Sequence, residues 1–223
     1  MNNNINIKRR GLIYVISSPS GGGKTSISKA LLAIDPNITK SVSVTTRQPR
    51  AGEVEGVDYY FVDRKLFEEK IKNNEFLEYA TVFDNYYGTL RAPVVESLNK
   101  GQDIMLDIDW QGAFQLFERA ATDVVGVFIL PPSMPELERR LRYRSSDSEE
   151  VILKRLSGAY EEISKFDQYD YVIINDDFDK TLSKISHILR AERLRRQRRP
   201  ALKQFVEKLL LDIPHEDKDI YSE

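Results

Sequence analysis

Three consecutive glycines followed by lysine and threonine, Gly21-Gly22-Gly23-Lys24-Thr25, are the residues of this chain that most directly imply chemistry. Glycines carry no Cβ, so successive backbone N–H groups can turn toward one anion. A helix starting just behind them adds the partial positive charge of its N-terminus. In that setting Lys24 reaches the β- and γ-phosphates of a nucleoside triphosphate, and the Thr25 hydroxyl ligates Mg2+. The expected triphosphate cradle comprises Ser20, Gly21, Gly22, Gly23, Lys24, Thr25 and Ser26. Ser18 stands where the G-x-x-x-x-G-K-[ST] pattern places its first glycine, a departure at the loop entrance and not in the Gly-Lys-Thr core. The plain alternative, a glycine-rich turn before an ordinary helix, leaves the entropic cost of three glycines without a purpose.

Asp107 and Asp109 form a second group, at the end of an otherwise apolar stretch, IMLDID. The end of a parallel strand is where an open sheet presents groups to a ligand. Both sit at the end of that strand, and period 2 puts the two carboxylates on one side. They would then repel unless a cation or donor lay between them, and Mg2+ is the obvious cation. The alternative is that both simply cap the next helix. Arg47 and Arg50 flank Pro49, which stiffens their loop, and their guanidinium forks suit phosphate oxygens; taken alone, they are equally ordinary surface. Arg140, Arg144 and Arg155 surround a break at Ser145–Ser148, which reads as the tip of a closing lid or as a solvated helix face. Tyr59, Tyr60, Phe61, Tyr79, Tyr86 and Tyr87 pack a small core, and which tyrosines also donate to phosphate is not decided. His187 reads as structural, and His215 carries no functional weight.

The elements that must hold these groups follow from periodicity. Leu12–Ser17 is an almost wholly apolar run, a strand buried on both faces, and Ile27, Ala30, Leu31 and Ile34 recur at helical spacing behind the glycines. Residues 1–10 read as a frayed arm. Between 41 and 90, short strands (Ser41–Thr46, Tyr59–Phe61, Phe76–Phe83, Tyr86–Leu90) alternate with polar loops, and Asp63 caps a helix. Helices near Val94–Asn99, Gly112–Ala120 and Glu136–Tyr143 then alternate with strands Ile104–Asp109, Val124–Leu130 and Tyr171–Asn175. Asp147 and Glu150 make a capping box for a helix running to Lys165. This rhythm predicts an α/β fold with a parallel, doubly wound sheet. The expected division is a core of 1–40, 91–132 and 167–199, an inserted lobe of 41–90, a helical lid of 133–166 and a C-terminal extension of 200–223. Seven basic residues between Arg190 and Lys203 precede an apolar stripe, Leu202 to Leu210, expected to pack on the core or on a second copy of the chain, with a solvated terminal helix as the alternative.

With 223 residues, 41% of them hydrophobic and 30% charged, the chain can fill one sizeable core. A net charge of −2 argues against nucleic acid as its general partner. The absence of cysteine excludes disulfides and thiolate chemistry, and with two histidines a transition-metal site is not expected. The N-terminus is too polar for a signal peptide and no apolar run is long enough for a bilayer, so cytoplasmic is the default expectation.

The chain resembles guanylate kinases of the bacterial type from Leu12 to about Glu192. The resemblance is carried by PSGGGKT, VSVTTRQPRAGEVEGVDYYFV, NNEFLEYATVFDNYYGT, LDIDWQG and YVIINDD. The TTRQPRAGE–DYYF block is specific to that family within the P-loop proteins; the glycine loop alone is not. The resemblance implies a P-loop NTPase fold with a GMP-binding lobe and a lid. It implies that Ser43, Glu78, Thr89 and Asp109 surround guanine, and that Arg47, Arg50, Tyr59 and Tyr87 hold the GMP phosphate. Lys24, Thr25 and Asp107 would serve MgATP, with Asp107 acting through water and also bordering the GMP site. Arg140, Arg144 and Arg155 would contact phosphates, and Asn175 would lie near adenine. Thr89 keeps the hydroxyl where some relatives carry serine. The implied reaction transfers the ATP γ-phosphoryl group to GMP or dGMP. Two rivals stay open: a guanylate-kinase-like domain that binds a protein partner without catalysis, and a P-loop kinase for another acceptor. Glu78 discriminates the latter, because a carboxylate complements guanine's N1–H and 2-amino donors but opposes the N1 lone pair of adenine.

Overall fold

The computed structural model describes residues 7–82, 84–144 and 148–211. In chain order the elements begin β1 (Ile13–Ser17), α1 (Lys24–Ile34), β2 (Ile38–Lys40), β3 (Ser43–Thr45), β4 (Tyr59–Phe61), α2 (Arg64–Lys72), β5 (Phe76–Val82) and β6 (Asn85–Leu90). They continue α3 (Arg91–Asn99), β7 (Asp103–Leu106), α4 (Trp110–Arg119), β8 (Val124–Leu130), α5 (Met134–Arg144), α6 (Glu149–Ile163), β9 (Tyr171–Ile174), α7 (Phe178–Arg193) and α8 (Leu202–Leu211). The capping-box residue Asp147, the lid-tip residues Ser145 and Ser146, Phe83, and the tail with His215 lie outside the described residues.

β1 is buried at every position because it lies at the middle of a five-stranded parallel sheet, order β2-β7-β1-β8-β9. Its side chains alternate between two cores. Tyr14 and Ile16 pack with Ile27 and Leu31 of α1 and Ile185 and Leu189 of α7. Ile13 and Val15 pack on the other face with Val94 and Leu98 of α3 and Ala113 and Leu116 of α4. Helices on both faces of a parallel sheet are the doubly wound arrangement the alternating pattern predicts. A second, four-stranded sheet, order β4-β3-β6-β5, carries its own small core, where the Phe67 ring stacks on Phe76 at 4.5 Å and on Tyr86 at 5.1 Å. Asp63 caps α2 by accepting from the Leu66 N–H at 2.7 Å.

Several expectations are corrected. The predicted strand Ile104–Asp109 ends at Leu106, so Asp107 and Asp109 stand in the loop beyond it and period 2 does not govern them. Ile38–Lys40 adds an edge strand too short for periodicity to reveal. The last strand is also an edge, which is why Ile173 is buried while Val172 and Ile174 are exposed. Arg9 and Arg10, placed in a frayed arm by the sequence pattern, are tied to the core by Asp103 and Asp123, each at 2.7 Å or less. Within the basic segment Arg193 bridges Asp35 and the fully buried Asp103, and Arg198 is buried against Glu192 at 3.2 Å; these charges are structural. His187 is on the exposed side of α7, not in the core. α8 buries none of its residues, so its apolar stripe does not pack into the core. No helix among the described residues is long and apolar enough to cross a membrane.

Candidate active site

The glycine loop joins β1 to α1 and lines a cavity of about 290 Å³. Gly23 is the N-cap of α1 at φ 105° and Gly21 has φ 88°, values an L-residue with a Cβ seldom adopts. Ser20, Gly21, Gly23, Lys24 and Thr25 line this cavity; Gly22 is buried beneath it and Ser26 is exposed outside it. Asn175 is also beneath the loop, not beside the cavity: its buried amide donates to the Gly22 carbonyl at 2.9 Å. It holds the loop from behind. A Cβ on Gly23 would sit 2.4 Å from that amide nitrogen.

The Lys24 ammonium lies 2.8 Å from the Asp107 carboxylate and 3.4 Å from the Ile108 carbonyl. Burial pushes the Asp107 carboxyl up, but the charge and hydrogen bond of Lys24, with Lys40 farther off, outweigh it and leave the group below its ordinary value. Asp109 instead caps α4, accepting from the Gly112 N–H at 3.0 Å. The two aspartates therefore satisfy different partners, and only Asp109 follows the simple capping alternative.

A second cavity, of about 360 Å³, opens between the two sheets and shares Ile108 and Asp109 with the first. Ser43, Arg50, Tyr59, Glu78, Tyr87 and Asp107 are among its lining residues. Glu78 is 3% exposed. A bulge between Phe76 and Glu78 breaks the strand alternation, sending Phe76 into the lobe core, Leu77 into the main core and Glu78 into the cleft. Its Oε1 accepts the Thr89 hydroxyl at 2.6 Å, and Thr89 itself is fully buried behind it. Gly112 of α4 lies beneath the other oxygen, where a Cβ would come within 2.5 Å. Gln115 fixes this approach by donating to the Tyr79 carbonyl at 2.7 Å. Burial, helped by the nearby Asp109 charge and opposed by Thr89, pushes the Glu78 carboxyl up to about 7.

Arg47 does not itself line this cavity; its guanidinium lies over the rings of Tyr59, which does, and of Phe61, at 5.3 and 5.8 Å. The Tyr59 and Tyr87 rings meet edge-on at 6.0 Å. The lid arginines are less gathered. Arg140 bonds Glu136 at 2.8 Å and the Asn175 carbonyl at 3.1 Å, and Arg155 is exposed on α6; neither lines either cavity, and the Arg144 side chain is outside the description. α5 nonetheless touches the phosphate loop, since Leu137 and Leu141 pack where a Gly21 side chain would go.

Glu162, near the end of α6, is a residue the sequence reading passed over. It lines the loop cavity opposite Lys24 and is hydrogen-bonded by the Ser20 backbone. Burial is the main influence raising its carboxyl, with Asp109 and Glu161 adding to it. An acid on a charged helix gives no sequence signal of this placement. Trp110 also lines the cavity, with the Lys165 ammonium 5.3 Å from its ring centroid.

Taken together, a glycine loop at a helix N-terminus lines one cavity, and the adjoining cleft contains a buried carboxylate and is lined by guanidinium and phenol groups. Comparison with known proteins places this geometry in context. Residues 10–192 match the family model described as Guanylate kinase. The chain is similar to the guanylate kinase of Zymomonas mobilis, 56% identical over 214 residues covering 96% of this chain and 98% of that protein. It is 54% identical to the guanylate kinase of Paramagnetospirillum magneticum, over 91% of this chain and 95% of that one. A crystal structure of guanylate kinase from Anaplasma phagocytophilum superposes with a TM-score of 0.74 at 45% identity, covering 92% of this chain and 97% of that chain. The mixed α/β architecture with its parallel sheet accords with a P-loop NTPase fold. With a family match across most of its length and close relatives over nearly all of it, the chain belongs to the guanylate kinase family.

Proposed function

We propose that this protein transfers the γ-phosphoryl group of ATP, in a Mg2+-dependent reaction, to the phosphate of GMP or dGMP, giving ADP and GDP or dGDP. The observation that carries the reading is the meeting of two cavities at Ile108 and Asp109, one floored by the glycine loop and the other containing the buried Glu78. In this reading residues 41–90 are the GMP-binding lobe, 133–166 the lid, and the remaining sheet and helices the core.

ATP phosphates bind along the backbone of Ser20 to Thr25, with Lys24 moving from Asp107 to the β- and γ-oxygens. Thr25 and, through water, Asp107 offer only hard oxygen donors. Among the described residues no group of three or more His, Cys, Asp or Glu forms a cage. That donor set suits an ion brought in on phosphates and held by one or two protein oxygens. When bound, Mg2+ neutralises charge on the β- and γ-phosphates.

Guanine enters the cleft with N1–H and its 2-amino group toward Glu78. Asp109 shares the amino group and Ser43 faces O6, whereas Thr89, fully buried with its hydroxyl donated to Glu78, acts on guanine through that carboxylate and not by direct contact. Arg47, Arg50, Tyr59 and Tyr87 hold the acceptor phosphate, which is already a nucleophile near neutral pH, so no general base is required. Lys24 and the arginines, including Arg140, Arg144 and Arg155 as the lid closes, offset repulsion between donor and acceptor phosphates and stabilise the spread charge of the transferring group. Closure excludes water as a competing acceptor.

We place the enzyme in the cytoplasm, with its nucleotide substrates, and take the exposed stripe of α8 as a surface for a second copy of the chain. Light scattering before and after removal of residues 200–223 tests the assembly. A coupled ADP assay with GMP, AMP and UMP in parallel tests the function. Turnover with GMP far above the other two is expected. Equal rates with AMP or UMP, or no turnover with GMP, overturn the reading.

A further inference from the structure

Glu53 takes no part in reading guanine or in holding ATP, yet its side chain is fully engaged. One carboxylate oxygen accepts from Arg47 Nη2 at 2.7 Å, and the other accepts from the Arg50 backbone N–H at 2.8 Å. The Glu53 backbone N–H returns a bond to the Arg50 carbonyl at 3.1 Å, so the turn from 50 to 53 is closed in both directions. Gly52, at φ 88°, supplies the left-handed residue this turn needs. Both members of the ion pair are largely covered, with side chains 13% and 20% exposed. Arg47 is held further by the Gln48 carbonyl at 2.7 Å, by Tyr87 and by the faces of Tyr59 and Phe61.

A surface pair of this kind contributes little to fold stability. Its effect here is on geometry. A guanidinium has five N–H donors, and the partners just named leave at least two for an incoming anion. An arginine already ordered by its surroundings loses less rotamer freedom on meeting that anion. The Arg50 backbone is fixed by the same carboxylate, while its side chain extends to line the cleft.

We infer that Glu53 is a positioning residue for the acceptor-phosphate site: through one carboxylate it sets the Arg47 guanidinium and the Arg50 turn in the geometry that receives the phosphate of GMP. This rests on the reading above, that Arg47 and Arg50 hold that phosphate.

The test compares GMP with guanosine, which has the same base and sugar but no phosphate. Binding of each is measured by calorimetry on the wild type, Glu53→Gln, Glu53→Ala and Arg47→Ala, with steady-state kinetics for GMP and ATP alongside. Glu53→Gln keeps an acceptor for the Arg50 N–H but removes the charge on Arg47, so a graded loss is expected, with alanine the worse. GMP affinity should fall by about tenfold or more while guanosine affinity stays constant. The KM for GMP should rise, with kcat changing less and the KM for ATP staying unchanged. An equal loss for guanosine means Glu53 merely supports the lobe and overturns the proposal. So does unchanged GMP binding in both Glu53 variants when Arg47→Ala weakens it. If Arg47→Ala itself leaves the preference for GMP over guanosine intact, the phosphate-site reading fails and the proposal fails with it.

Discussion

Replacing Glu78 by glutamine should make the empty protein more stable and the enzyme nearly unable to read guanine. The Glu78 carboxyl is raised from 4.5 to about 7, chiefly by burial. The folded chain therefore binds this proton more tightly than the unfolded chain. As the pH rises from 4.5 to about 7, the unfolded state releases its proton first and the stability of the folded state falls. At about 1.4 kcal/mol per pK unit, the loss amounts to about 3 kcal/mol and is complete by pH 8. Glutamine has no such proton and keeps an oxygen for the Thr89 hydroxyl. Glu78→Gln should thus melt close to the wild type at pH 5 but roughly 5–10 °C higher at pH 8. GMP binding goes the other way. Guanine's two donors need the ionised carboxylate, and hydrogen bonds to a charged group contribute about 1.5–3 kcal/mol each, so affinity should fall by about 10²-fold or more. Below pH 7 the wild type must also give up the Glu78 proton to bind, weakening GMP by about tenfold at pH 6. The GMP phosphate itself titrates near pH 6, so the Glu78 contribution is the difference between the two proteins. Thermal melts by circular dichroism at pH 5 and 8, with calorimetric titration of GMP from pH 5.5 to 8, carry the test. A variant that melts below the wild type at pH 8, or binds GMP within threefold of it, refutes the reasoning.

Lys24→Met should fold normally, because the polar contacts of Lys24 among the described residues are Asp107 and the Ile108 carbonyl at the cavity wall, and should lose about 10²–10³ in kcat; rates within threefold of wild type reject its catalytic role. Glu162→Gln removes a negative charge facing Lys24 and Ser20 across the glycine-loop cavity. ATP should then bind about fivefold more tightly, for roughly 1 kcal/mol of relieved repulsion, as read by calorimetry without GMP. Arg193→Met leaves Asp35 and Asp103 facing each other without their shared cation. Urea unfolding should show a loss of about 3–5 kcal/mol, far from either cavity.

The sequence by itself determined the glycine-loop half of this protein. An apolar run, a glycine loop and an amphipathic helix are contiguous, and their interactions are local enough for spacing to encode them. The same holds for Asp63 as a cap. The family-specific blocks extended this to Glu78 and Asp109 by resemblance, since no spacing rule brings the two to one cleft. Tertiary structure decided the rest. Asp107 and Asp109 look alike in the sequence, but the strand stops at Leu106 and each finds a different partner, Lys24 for one and a helix N-terminus for the other. Glu78 is buried because a bulge breaks the strand's alternation and because Gly112, distant in sequence, leaves room for its oxygen. The run of like charges after Arg190 gives no sign of burial, yet Arg193 and Arg198 are interior because carboxylates from other elements converge on them. A charge pattern records the sign of each residue, while burial depends on which distant partners the chain path delivers.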